Sequence, residues 1–405
     1  MNLLQPFRAW RPAPGLERRV AAPPYDVLNS AEARSLAGDN PESFLHVSKA
    51  EIDLEPGVSP CDERVYATAS ARFVAMRRQG ILRQEATPCY YLYRLEMDGH
   101  RQTGIAATAS VAAYRDERIK KHEFTRPDKE DDRTRLAATL EAHTGPVFLI
   151  YPDDLRCARL IEALTSTPPA CDFMADDGVR HTLWVVAAPE TLRELTEAFD
   201  RVPALYIADG HHRAAAASRV SETRPGADRF LAVAFPNSQV RIMDYNRVVR
   251  DLNGLDETTF LRRVGERFRL TPAPTPVRPE QRHLFGMYLR GRWYDLRAIV
   301  EPAQEADPVA RLDVTILQER LLDPLLGITN PRQDTRIDFV GGRRGLDELM
   351  RRVDSQEMTV AFSLFPTTMQ ELMAVADAGH VMPPKSTWFE PKLRDGLVLQ
   401  TLSEE

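Results

Sequence analysis

Ala204-Leu205-Tyr206-Ile207-Ala208-Asp209-Gly210-His211-His212-Arg213-Ala214-Ala215-Ala216-Ala217 is the stretch on which the reading of this chain turns. Five apolar residues predict a short buried strand, Asp-Gly a turn, and the alanine run a helix. Glycine in that turn permits φ > 0 and lets backbone approach a ligand closely. The new helix offers unpaired N–H groups and the positive end of its dipole, which suit an anion such as phosphate. Arg213 can grip phosphate oxygens with a fixed fork of donors. His211 and His212 add donors or proton-transfer groups near neutral pH. Neighbouring residues on a turn point different ways, so the two histidines are not expected to ligate one metal. Asp209 can hold Mg²⁺ or take a proton from a hydroxyl. The plainer alternative is a capped turn with two surface histidines. The polar, glycine-bearing loop directly after a buried strand favours a site.

Outward from the loop, strands and helices alternate without strict βαβ regularity. Strands are expected at residues 90–95, 104–111, 146–151, 181–186, 230–235, 284–289 and 360–365. Helices are expected at 65–79, 133–143, 190–199, 313–322 and 368–378, the last opened by the capping box of Thr368 and Glu371 and stopped by Gly379. The fold class is therefore α+β, or mixed α/β. The proline run at 272–276 should break regular structure and mark a subdomain edge. This gives a main α/β region at 1–270 carrying the loop and a C-terminal α/β region at 271–405.

Composition narrows the class. The 405 residues carry 53 Lys and Arg against 59 Asp and Glu, a net charge of −6. That balance, with no helix-turn-helix signature, argues against nucleic acid as a partner. No apolar stretch reaches the roughly 18 residues of a membrane helix, and no h-region opens the chain, so a cytoplasmic protein is expected. Cys61, Cys89, Cys157 and Cys171 form no C-x-x-C pair, and a zinc site is disfavoured. There is no P-loop, no Rossmann G-x-G-x-x-G and no G-x-S-x-G elbow.

Three further segments hold candidates. Residues 120–133 contain five basic and five acidic residues, most of which should pair along a solvated helix turn. His122, Glu123 and Arg126 precede that turn: Glu123 is a candidate base or metal ligand, and Lys120 or Arg126 a candidate phosphate contact. In the proline-stiffened segment 383–392, Lys385, Ser386 and Thr387 could contact phosphate, or Trp388 and Phe389 could simply dock into a core. Pro23-Pro24-Tyr25-Asp26 offers one phenol and one carboxylate to a substrate, with a structural turn as the alternative.

Taken together, Pro23–Val27, Lys121-His122-Glu123 with Thr125, Lys129-Glu130 with Arg133, the loop at 206–213, Tyr245-Asn246-Arg247 and the segment 382–389 resemble the bacterial and archaeal domain-of-unknown-function 1015 family. The Asp-Gly-His-His-Arg loop is similar to the phosphate loop of the ParB/sulfiredoxin group, which includes kinases of free L-serine. The resemblance implies a ParB/sulfiredoxin-like core elaborated by additional α/β subdomains, and a nucleotide or polyphosphate site at 209–213. It makes a Mg²⁺-dependent phosphotransferase acting on a small hydroxyl metabolite the leading reading. L-serine would be the acceptor, and ATP, ADP or pyrophosphate the donor. In that reading Asp209 inherits a place beside the transferred phosphate. Glu123 and His122 are the other catalytic candidates, and Asp209 and Glu123 the metal ligands. The competing readings are a ParB-like nucleotide-binding regulator and a nucleotide or phosphoester hydrolase. The oligomeric state is left open, a homodimer included.

Overall fold

A computed structural model of the protein describes residues 2–299 and 307–402. The architecture is mixed α/β. The chain divides into two compact units, Met1–Val240 with Pro391–Glu405, and Arg241–Glu390. This differs from a division near residue 271. The proline run expected to interrupt structure there begins inside a strand, Phe268–Ala273, at the edge of a sheet. An edge strand tolerates a residue with no N–H to donate. In sequence the second unit is an insertion: the chain leaves the first unit after Val240 and re-enters it at Pro391.

The first unit is built on a nine-stranded sheet. Its strands are β1 (Leu4–Gln5), β2 (Tyr90–Met97), β3 (His100–Ser110), β4 (Ile119–Lys120), β5 (Val147–Tyr151), β6 (Cys171–Met174), β7 (Arg180–Val186), β8 (Leu205–Asp209) and β9 (Arg229–Pro236). They lie in the order β4-β8-β5-β9-β3-β2-β7-β6, with β1 on the free stretch of β3. The β4–β8 and β5–β9 pairs are parallel and the rest antiparallel. β5 is apolar and buried along its whole length, and β9 is so from Phe230 on, because both faces are covered. Gly104 in β3 is required by packing: a Cβ there would stand 2.8 Å from the Ala234 carbonyl oxygen and the Phe235 ring.

Helices α1 (Glu63–Arg78), α2 (Pro127–Leu140) and α3 (His211–Thr223) matter most to the site. Helix α2 begins six residues before the expected 133, with Pro127 at its first position, where the missing N–H would have had no intrahelical partner. The acidic run behind the proline fits the positive helix start. Phe73 of α1 and Leu136 and Leu140 of α2 share a core with Phe44 and Leu399. Leu399 belongs to the returning segment, which is fastened to the first unit three times: Asp395 bridges Ala22, Leu399 bridges Trp10, and Gln400–Thr401 pairs with Ala142–His143.

The second unit is a six-stranded antiparallel sheet of β10 (Tyr245–Val249), β11 (Phe268–Ala273), β12 (Leu284–Leu289), β13 (Arg292–Ala298), β14 (Ile337–Gly341) and β15 (Val360–Leu364), ordered β11-β13-β12-β15-β10-β14. Helix α4 (Gly345–Asp354) buries Leu349 and Val353 against Val248, Val340 and Ala361. The capping box of Thr368 and Glu371 forms as the sequence predicts. Among the described residues no helix is long and apolar enough to cross a membrane.

Candidate functional site

Strand β8 ends at Asp209 and helix α3 starts at His211, with Gly210 alone between them. Gly210 has φ of 92°. A Cβ on it would stand 3.2 Å from Arg213 Nε and 3.3 Å from Val147 Cα, so both the backbone and the space call for glycine. Asp209 Oδ1 accepts the Gly210 N–H at 2.8 Å. The Ala214 N–H donates to the Gly210 carbonyl at 3.0 Å, so the N–H groups of His211, His212 and Arg213 lie in the unladdered first turn, at the positive end of the helix.

Asp209 Oδ2 accepts from Lys392 Nζ at 3.0 Å. Burial opposes the Asp209 charge, but Lys392 and Arg213 outweigh it and hold the carboxyl far below the usual range. Lys392 stands 183 positions along the chain. Its residue had a visible setting at the end of the 383–392 segment, but nothing local to the sequence points it at Asp209.

Arg213 donates through Nη1 to the Pro146 carbonyl, while its buried Nε has no hydrogen-bond partner. Burial works against its charge, and Asp26, Asp395 and Asp209 more than compensate, so its pKa is raised. Asp395 is 3% exposed, and its Oδ1 has no hydrogen-bond partner. A Cβ on Gly145 would collide with that carboxylate. Burial pushes the Asp395 carboxyl up to about 7, against the pull of Arg213 and with the help of Asp26. Tyr25, whose phenol burial and Asp26 push up, lies under the Arg133 guanidinium at 3.9 Å. Arg133 forks onto Asp132 Oδ2 at 3.0 and 2.7 Å, and Tyr66 donates to Asp132 Oδ1 at 2.8 Å. Lys392 and Asp395 thus join the cluster without having been singled out from sequence, and Arg133 joins it from the residues that carried the family resemblance.

The two loop histidines do part ways. His211 is buried, and its Nδ1 faces Glu123 Oε2 at 4.0 Å. The His122 N–H points at His211 Nε2 at 3.5 Å, which places the remaining ring proton of a neutral His211 on Nδ1, toward Glu123. The His122 and His211 rings meet edge to face at 4.6 Å. Burial holds His211 well below its ordinary pKa and pushes His122 down to about 4. His122 is 1% exposed, and neither ring nitrogen makes a hydrogen bond of normal geometry. His212 is half-buried; its Nε2 accepts the Arg126 N–H at 3.0 Å, and burial lowers its pKa.

The structure therefore gathers Tyr25, Asp26, His122, Glu123, Asp209, Gly210, His211, His212 and Arg213 in one unit. Arg126 touches this group through its backbone, but its guanidinium is forked onto Asp128 at the surface. Lys120 sits in β4 with its ammonium 5.9 Å over the Tyr206 ring. Lys385, Ser386 and Thr387 belong to the second unit. There Lys385 is exposed with φ of 60°, its ammonium lies 5.9 Å over the Tyr245 ring, and the Ser386 hydroxyl donates to the Pro383 carbonyl at 2.6 Å. Trp388 packs edge to face on Tyr245 at 5.2 Å, so the segment is at least an aromatic anchor.

Among the described residues no group of three or more His, Cys, Asp or Glu converges to hold a metal. Mg²⁺ is ordinarily held by one or two carboxylates plus substrate phosphates and needs no such group. Asp209 and Glu123 are the two carboxylates that the sequence singled out for this role, and Asp26 and Asp395 stand about the neighbouring Arg213.

Three comparisons set this chain among known proteins. No curated protein matches it. Solved structures give low-level likenesses. A free serine kinase variant in complex with ADP has 12% identity and a TM-score of 0.36, over 70% of this chain and 87% of that one. A conserved hypothetical protein from Pyrococcus furiosus has 15% identity and a TM-score of 0.36, over 72% and 93%. SbnI from Staphylococcus aureus, with a C-terminal truncation, has 11% identity and a TM-score of 0.39, over 72% and 85%. At these values the likenesses carry no functional argument. The model of a family described as a protein of unknown function, DUF1015, matches residues 4–315, more than half of the chain, and the chain belongs to that family.

Proposed function

We propose that the first unit is a small-molecule phosphotransferase whose donor phosphates sit at the start of α3. The observation that supports this most is the glycine-opened helix start, flanked by an ionised carboxylate and a charged arginine. Unladdered N–H groups and a planar guanidinium are the donors that a polyphosphate takes up, and they neutralise charge on the transferred group. Phosphoryl transfer asks little covalent chemistry of a protein, so positioning and charge carry it.

In the proposed step the acceptor hydroxyl oxygen bonds to the terminal phosphorus as the bridging P–O bond breaks. That bond's electrons leave with the rest of the donor. The hydroxyl proton passes to Glu123, whose side chain is 42% exposed beside His211 and so open to an entering acceptor. Asp209 stands beside the transferred group. Mg²⁺ would enter with the donor phosphates, with Asp209 and Glu123 as the residues to hold it, and would supply charge neutralisation. L-serine is the first acceptor to test, on the resemblance of the loop to that of free-serine kinases.

The test is phosphorus NMR of the purified protein with Mg²⁺, L-serine and, in turn, ATP, ADP or pyrophosphate. An O-phosphoserine signal that requires serine supports the reading and names the donor. Donor loss that ignores serine makes the protein a hydrolase or moves it to another acceptor. No turnover with any donor shifts the weight to a nucleotide-binding regulator.

A further inference from the structure

The returning segment 391–402 lies beyond the residues that the family model matches. Yet it sends Lys392 to the carboxylate at the mouth of α3. Two residues on, Arg394 enters a buried polar chain. Its Nε donates to His181 Nε2 at 3.2 Å, and His181 Nδ1 pairs with the Tyr93 hydroxyl at 2.7 Å. Its Nη2 also reaches Asp177 Oδ2 at 2.5 Å. Because Nε2 accepts from a guanidinium, His181 carries its proton on Nδ1 and stays neutral, and burial with the Arg394 charge holds its pKa well down. Phe173 stacks on the same ring at 5.2 Å. The next residue, Asp395, exchanges both backbone hydrogen bonds with Ala22, at 3.0 and 2.9 Å.

The main chain on the C-terminal side of Lys392 is thus fixed by a side-chain clamp and a backbone bridge. The lysine stem is what can move. A phosphate brought to the α3 start beside an ionised Asp209 meets like charge unless a cation stands between them, and a compact ammonium on a flexible stem suits that place.

We propose that the segment 391–395 completes the phosphate site: Lys392 is the cation that passes from Asp209 to the donor phosphate, and Arg394 is the positioning residue that holds it in reach. This rests on the phosphate-site reading above and gives that site a residue from the far end of the chain. The pairing with Asp209 then holds the cation in place before the donor arrives.

The experiment is calorimetric titration of the full chain with inorganic pyrophosphate, without added metal. Lys392→Met weakens binding by about tenfold or more, and Lys392→Arg retains most of it. Asp209→Asn tightens binding, because it releases the cation and removes a like charge. That gain is lost when Lys392→Met is present as well, a coupling that a merely structural lysine would not show. Asp177→Asn, which loosens the clamp at its solvent end, costs a few-fold, and costs nothing further in the Lys392→Met background. If wild type binds pyrophosphate and Lys392→Met binds it equally well, the inference is overturned and the phosphate site stands. If wild type binds neither pyrophosphate, ATP nor ADP, with Mg²⁺ or without it, the phosphate site itself is wrong and the inference falls with it.

Discussion

Arg213 in the first unit is partly buried and Arg247 in the second is buried, and their surroundings push the two in opposite directions. Arg213 in the first unit faces Asp26, Asp395 and Asp209, and its pKa rises. Arg247 in the second unit is 3% exposed and donates to the carbonyls of Tyr245 and Lys385, with the Phe339 ring 5.4 Å away. Among the described residues it has no carboxylate partner, and burial pulls it down to about 10. Neutral carbonyls and an aromatic face hold a guanidinium as a staple. Acids around a guanidinium keep it charged and supply a field that a substrate can alter. Burial alone does not mark a functional arginine; the company it keeps does.

The sharpest way to break this contrast is to remove the acid nearest the loop. Asp209→Asn should lower phosphoryl transfer by about a hundred- to ten-thousandfold, with the folded circular dichroism spectrum of wild type. Phosphorus NMR rates and circular dichroism check it, and an unchanged rate in folded protein removes Asp209 from the chemistry. Next comes the core of the second unit. Phe260 is fully buried there, and Phe260→Ala should cost about 3–5 kcal/mol. Calorimetry should show the loss in the second unit's transition, while pyrophosphate binding below that transition stays at the wild-type value. Parallel loss of binding would end the separation of roles.

A pH series sharpens the contrast further. Burial raises Asp313 in the second unit to about 7, with Glu371 assisting against the His283 N–H it accepts. The folded state therefore holds this proton more tightly than the unfolded chain. Its contribution is full below the ordinary carboxylate pKa and is lost as pH rises through about 7. Asp313→Asn should flatten that decline, worth on the order of 2 kcal/mol between pH 5 and 8. Asp395 has the same direction in the first unit, so the Asp313 variant should leave the first unit's slope intact. The smallest effect is expected at Gly210. Gly210→Ala forces φ of 92° on an L residue, costing about 1–2 kcal/mol, and nudges Arg213. A few-fold loss of pyrophosphate affinity should follow in the titration.

The sequence made the loop legible because every signal in it is local: an apolar strand, one glycine, a run of helix formers. The capping box at Thr368 and the strands at 146–151 and 284–289 were legible for the same reason. The start of α2 was set too late, at 133, although Pro127 was a start signal in plain view and the charges after it were read as a solvated helix turn. The mixed parallel and antiparallel order of the large sheet was not legible, since strand neighbours such as β8 and β5 are set by packing across long separations. Lys392 and Asp395 were passed over because a charge one or four residues after a proline looks ordinary until the fold sets it beside its partners.

The late return of residues 391–402 also sets an order of events during synthesis. When the ribosome has made the first 240 residues, Trp10, Ala22 and the 142–143 edge still lack the strand that will cover them. Making the inserted unit takes roughly 10–30 s at ordinary elongation rates. For that interval the first unit exists with an unsealed flank, a template for wrong pairing that a chaperone would shield. A chain stalled anywhere in the insertion would carry the whole Asp-Gly-His-His-Arg loop without Lys392 and without the strand that pairs with residues 142–143.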